Sequence, residues 1–307
     1  MLFEQALQRR VIFLGGKGGV GKTTVSSALA LALSRAGRRV LIASTDPAHN
    51  LGHLWEQTIG DTITEVAPLL DALEIDPAAT TATHLEQVRA SMYGLTPEHL
   101  RPEIDRYLEM VRDSPGMHEA ALLERLASVV TTGVAEYDHV ILDTAPSGHT
   151  LRLMHLPEVM SAWTRGLMRG QDRSAGYSRA AAALGAPEED TARAVRDGRI
   201  RGVLERRAAL FGDLRDIIGD AARTTFVIVL TPERLPRLES TEVQRSLADA
   251  GVDVGALVVN RRTPAGWGSG FATRREQESA EIEALVADVP GIPVVELEAV
   301  GSDVTGG

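Results

Sequence analysis

The chain has 307 residues, 44% of them hydrophobic and 24% charged, enough to bury one large core or two modest ones. A formal net charge of -10 argues against non-specific binding to nucleic acid or to an acidic membrane surface. The absence of cysteine excludes disulfides, CxxC zinc sites, cysteine-ligated iron–sulfur clusters and thiolate chemistry within the chain. No apolar run approaches the roughly 18 residues of a membrane span, and MLFEQALQRR is too polar for a secretory leader. A cytoplasmic location is expected.

In chain order, Arg10–Leu14 is an apolar run ending in glycines and is predicted as a buried parallel strand. A helix is predicted over Lys22–Ala36, closed by Gly37, and a second strand over Arg39–Ser44. Leu70–Ile75, Tyr137–Asp143, Thr225–Leu230, Gly255–Val259 and Pro293–Leu297 are predicted as further strands, with helices near Arg237–Ala250 and Arg274–Ala287. This alternation implies βαβ units and a mostly parallel sheet flanked by helices. Two intervals break the rhythm, about 77–132 and 154–222. In the second, Leu156, Val159, Met160, Trp163 and Leu167 recur at helical spacing, as do Ile200, Val203, Leu204, Phe211, Leu214, Ile217 and Ile218. Both intervals are expected to form an α-helical subdomain inserted into one α/β P-loop domain spanning 1–307, with 170–190 its least regular part.

The stretch Gly16–Thr23 (GKGGVGKT) fits the phosphate-binding loop template between a strand and a helix. Glycines at Gly16, Gly18, Gly19 and Gly21 let backbone N–H groups, Val20 included, turn toward one anion at a helix N-terminus. Lys22 can reach the β- and γ-phosphates of ATP, Thr23 can ligate Mg²⁺, and Thr24 is placed to meet the α-phosphate. Of the 32 basic residues only two are lysine, Lys17 and Lys22, and both lie in this motif. Elsewhere arginine serves for every exposed cation, so lysine persists only where a compact ammonium on a flexible stem is required.

Asp46, in STDPAHNLGHLW, ends the second strand. It can orient a water toward the γ-phosphorus, or it can cap the turn before Pro47; residue type alone leaves these even. Asp143 ends the run VILD, where it can hold a water of the Mg²⁺ shell. Pro47, His49 and Asn50 follow the first carboxylate; Pro146, Ser147, Gly148 and His149 follow the second. Both segments are expected to be switches that respond to the γ-phosphate, their histidines serving as hydrogen-bonding groups. Asn260, after GALVV, is placed to read the adenine edge with its amide.

GKGGVGKTT, STDPAHNLGHLW, LEIDP, DTAPSGHTLRLMHLP and VVNRR together resemble the ArsA family, which holds the arsenite-pump ATPase and the ATPase that targets tail-anchored membrane proteins. The resemblance runs from residue 11 to about residue 262. It implies a deviant Walker A ATPase in which Lys17 is the signature lysine, reaching the nucleotide of the other subunit in a face-to-face homodimer. It makes Asp46 the catalytic aspartate of switch I and Asn260 an adenine contact, and it places Thr231–Pro232–Glu233 near a nucleotide. The thiols of the arsenite pumps and the CxxC zinc site of the eukaryotic targeting factors are both missing, so neither thiol-bound arsenite nor zinc is expected.

The function expected is Mg-dependent ATP hydrolysis, with Asp46, Lys17 and Lys22 catalytic, opening and closing a homodimer coupled to a client or membrane partner. The chain would then be peripheral to the membrane through that partner. A kinase or synthetase of the same superfamily, or a nucleotide-gated scaffold with negligible turnover, stands as the alternative. The inserts hold Met92, Met110, Met117, Met154, Met160 and Met168, which are expected to be core rather than a client groove.

Overall fold

The computed structural model describes residues 2–46, 50–93, 98–112, 116–144 and 190–301. Its centre is an eight-stranded sheet: β1 (Val11–Gly15), β2 (Val40–Ser44), β3 (Thr64–Ala67), β4 (Leu70–Glu74), β5 (His139–Asp143), β6 (Thr224–Leu230), β7 (Val254–Arg262) and β8 (Val294–Glu298). The strand order is β3-β4-β2-β5-β1-β6-β7-β8. Every neighbouring pair is parallel except β3 with β4. The strands β1, β2, β5 and β6 are buried at every residue, because helices cover both faces of a parallel sheet.

The helices among the described residues are α1 (Leu2–Leu7), α2 (Lys22–Arg35), α3 (Asn50–Trp55), α4 (Pro77–Tyr93), α5 (Arg101–Arg112), α6 (Met117–Glu136), α7 (Asp190–Gly219), α8 (Arg234–Asp249) and α9 (Ala272–Asp288). Expected strands and helices recur within a few residues of their predicted ends. The predictions lacked the edge strand β3 and the short helices α1 and α3. Residues 156, 159, 160, 163 and 167 lie outside the described residues, as do 170–189.

By contact the chain divides into two compact units, Met1–Asp76 with Val129–Met154 and Asp216–Gly307, and Pro77–Ser128 with His155–Arg215. The first unit holds the sheet, with Ile12, Leu14, Leu33, Ile42 and Ile141 in its core. In the second unit Leu85, Ile104 and Leu108 form a small core against which Met92 and Met117 pack. Met110 is 71% exposed, while Met154, Met160 and Met168 lie outside the described residues. Glu124 ties α4 to α6 and α7 through His84 Nδ1 at 2.8 Å and Arg207 Nε at 3.3 Å.

His139 opens β5, at the end of the strand opposite Asp143, its Nδ1 2.7 Å from the Arg9 carbonyl oxygen. Burial is the chief cause holding its imidazole below the ordinary pKa, so the folded state carries it neutral. Between the folded and unfolded values, therefore, only the unfolded chain binds the extra proton. Stability is fully present above about pH 6.5 and is lost as pH falls through the folded value, with a slope of at most about 1.4 kcal/mol per pH unit. Denaturant midpoints at pH 7.5 and 5.5 check this: the wild type should lose more stability on acidification than His139→Gln. Equal losses would remove His139 as the cause.

Candidate active site

The carboxyl ends of β1, β2, β5 and β7 converge on one edge of the sheet, where open α/β folds bind ligands. After β1 the chain enters the loop Gly16–Gly21 and then the N-terminus of α2. Two glycines there are dictated by geometry. Gly16 has φ 149°, and a Cβ would collide with the Val229 carbonyl oxygen; Gly21 has φ 93°, and a Cβ would strike the Asn260 amide nitrogen. Gly19 also has positive φ, at 79°. Asn260 Nδ2 donates to the Val20 carbonyl at 2.8 Å, so the amide expected at adenine also fastens the loop to β7.

Lys22 is 5% exposed, and its ammonium donates to the Lys17 carbonyl at 3.2 Å. Burial pushes its pKa down, against the carboxylates of Asp143 and Asp46, which hold it up. Asp143 is fully buried. It accepts a hydrogen bond from Thr23 Oγ1 at 2.6 Å through Oδ2, while Oδ1 is buried with no hydrogen-bond partner among the described residues. Burial raises the Asp143 pKa to about 6; Asp46 adds to the rise, and Thr23, Lys22 and Ser44 oppose it. A buried carboxylate oxygen without a donor, beside a hydroxyl and a cation, fits a divalent cation or its water.

Asp46 does not end the strand as expected: β2 stops at Ser44, and Asp46 lies two residues beyond, its N–H donating to Ser44 Oγ at 3.2 Å. Ser44 pairs in register with Asp143, which brings the two carboxylate-bearing strand ends side by side. Pro47 and His49, of the first expected switch, lie outside the described residues, as do Pro146, Ser147, Gly148 and His149. Asn50 is described: it opens α3 and lines the same pocket as Asp46. That pocket is about 760 Å³, bounded by Gly19, Gly21–Val25, Asp46 and Asn50 towards β2 and by Asn260, Arg261 and 297–300 towards β8. Gly16 and Gly18 belong to the loop but not to this lining, and Gly18 and Val20 face a second pocket with Lys17.

That second pocket, about 510 Å³, lies on the other side of the loop, between Lys17–Val20, Thr231–Glu233, Leu235, Pro236, Arg261 and Arg274. Lys17 does not join the Lys22 cluster. Its ammonium pairs with Glu239 on α8 at 2.9 Å, both groups being partly exposed.

Sequence reasoning missed two residues here. Glu74, 2% exposed, accepts from the Leu51 N–H at 2.8 Å and the Gly52 N–H at 3.2 Å, anchoring the helix next to Asp46. Its signal, an acid closing an apolar strand, is present in LEIDP. Arg261 had no such signal.

A strand–loop–helix phosphate cradle at the sheet's carboxyl edge, with a buried lysine and a carboxylate on the adjacent strand, defines a P-loop nucleoside triphosphatase. A family model described as anion-transporting ATPase matches residues 9–307, and the chain belongs to that family, the ArsA ATPases; it is an ATP hydrolase. It is 33% identical over 303 residues to "Putative arsenical pump-driving ATPase 2" of Aquifex aeolicus, covering 95% of each chain. It is 32% identical over 289 residues to the arsenical pump-driving ATPase of Escherichia coli, covering 92% of this chain but 45% of that protein. It is also 32% identical over 252 residues to ATPase GET3A of Arabidopsis thaliana, covering 81% of this chain and 66% of that one.

Proposed function

We propose that the chain hydrolyses ATP with Mg²⁺ at the pocket described, and that hydrolysis opens and closes a homodimer coupled to a client or membrane partner. The observation that carries the reading is the grouping of Lys22, Thr23 and Asp46 at one end of one pocket, with the buried Asp143 hydrogen-bonded to Thr23. The glycine loop binds the phosphates through its N–H groups, and Thr24 meets the α-phosphate. Thr23 and, through water, Asp143 hold the cation, which when bound supplies positive charge to the phosphate oxygens. Asp46 orients the attacking water and accepts its hydrogen bond, and Lys22 neutralises charge that develops on the γ-phosphate. Asn260 faces the adenine edge while it keeps the loop closed.

Lys17 acts across the dimer. Its place on the loop's outer side, in the pocket that the exposed Leu235 of α8 also lines, supports an interface there. The relatives named as arsenical pump-driving ATPases suggest a pump as client, and the resemblance to the tail-anchored-protein targeting ATPase suggests a membrane-protein substrate. With no cysteine, this chain offers no thiol for arsenite. Among the described residues no helix is long and apolar enough to cross a membrane, so membrane proximity would come through a partner.

Sedimentation in ATP, ADP and no nucleotide tests the dimer. ATP with Mg²⁺ should yield a dimer that dissociates after hydrolysis, and Lys17→Ala should stay monomeric at the same concentration. A wild type that hydrolyses ATP as a monomer would overturn the dimer reading. Phosphate release without any added acceptor separates hydrolysis from kinase chemistry.

A further inference from the structure

Near the end of β7 the ladder with β8 slips: Val259 pairs with Glu296 and Arg262 with Glu298, so three steps on β7 oppose two on β8. The extra residue makes a β-bulge, a device that re-aims a side chain and recurs beside active sites. Within it Arg261 has φ 60°, in the left-handed region that arginine rarely enters. Such an outlier persists only when its surroundings enforce it.

The surroundings here do. On one side Asn260 is tied to the phosphate loop. On the other, Arg262 is buried against Glu278, with Nη1 to Oε2 at 2.8 Å, and also donates to Glu296 and Ser279. Thr263 donates to Glu278 twice, through N–H at 2.9 Å and Oγ1 at 2.7 Å. The Arg261 side chain makes no hydrogen bond or ion pair among the described residues. This frame thus presents the arginine, unpaired among the described residues, at the rim of the nucleotide pocket, where it also borders the Lys17 pocket.

The sheet order says which part of the nucleotide it meets. Asp46 and Asp143 stand at the β2–β5 side of the loop, so the γ-phosphate lies there and the base lies towards β7 and β8. That end is walled by Asn260, Arg261, Leu297, Ala299 and Val300. Asparagine presents an amide for the base edge, and the remaining walls are apolar apart from a guanidinium plane and Glu298.

We infer that Arg261 is a base-binding residue, its guanidinium laid against the face of the nucleotide's purine in the pocket between the phosphate loop and the end of β8. A planar, weakly hydrated cation is suited to stacking on an aromatic ring, where an ammonium is not. The inference rests on the nucleotide site proposed above, and it adds a specificity element to it.

Arg261→Asn and Arg261→Gly test it, since both residues accept positive φ. ATP affinity should fall by about threefold to tenfold, with kcat at saturation changed less than twofold. Thermal unfolding should be unchanged or higher, because backbone strain is relieved; a merely structural arginine would instead lower the midpoint and leave affinity alone. Inorganic tripolyphosphate, which carries no base, should bind wild type and variants with the same dissociation constant. Equal weakening of tripolyphosphate would place Arg261 on the phosphates and overturn the assignment, as would unchanged ATP affinity. Wild-type ATP binding that depends on Lys22 reports the phosphate site separately, so loss of that site and loss of the base contact are distinguishable.

Discussion

Asp46→Asn is expected to lower turnover by about 10²–10³ while ATP binding is retained. The carboxylate lies in the pocket beside Lys22 and next to the strand end that carries Asp143. Asparagine keeps the size and the amide can still contact water, but it no longer takes the partial positive charge that water develops on attack. Its effect on the ground state runs the other way. The Asp46 charge is one of the causes raising the Asp143 pKa, so its removal makes Asp143 a better anion and should leave Mg²⁺ dependence at least as strong. Phosphate release at saturating ATP and equilibrium binding of ATP, measured on the same preparation, give the two numbers. Turnover within threefold of wild type would exclude Asp46 as the group that orients water and return it to capping the turn.

Lys22→Met should lose both quantities together: affinity for ATP and kcat/KM, the latter by about 10²–10³. Lys22 is buried beside two carboxylates, so its loss leaves like charges facing each other at the mouth of the loop as well as removing a phosphate contact. Lys22→Arg is the sharper variant. A guanidinium fork must fit where a 5%-exposed ammonium curls back to the Lys17 carbonyl at 3.2 Å, and it cannot do so without moving the loop. Arginine is therefore expected to rescue little. Activity near wild type in Lys22→Arg would also undercut the reasoning that lysine is retained in this arginine-rich chain for its shape.

Parts of this site were legible in the sequence because the physics there is local. A glycine loop between an apolar strand and a helix follows from chain order, and β1, β5 and β6 announce themselves as unbroken apolar runs. Other parts depend on partners far along the chain. Thr64–Ala67 is a short, half-exposed edge strand whose residues carry no alternation strong enough to mark it. Glu74 reads as the end of a strand until the N–H groups of Leu51 and Gly52 are seen to point at it. β7 was expected to stop at Val259 and instead runs to Arg262, because the bulge lets polar residues continue the ladder. No residue type signals that an arginine will hold positive φ, so Arg261 became visible only in the fold. Asp46 stood evenly between two uses, and it lies in the pocket with Lys22, beside the strand end that carries Asp143, where Asp46→Asn decides between them.

The hydrogen bond from Thr23 to Asp143 has a consequence for metal selection. With its one hydrogen committed to the buried carboxylate, the hydroxyl can offer only lone pairs to anything entering the pocket. The pair thereby presents oxygen acceptors, with no nitrogen or sulfur donor from either residue. Hard, oxygen-seeking cations are admitted on those terms, and soft thiophilic ones gain nothing. A divalent cation bound there, as the hydrolysis proposed above requires, would meet oxygen alone from these two side chains.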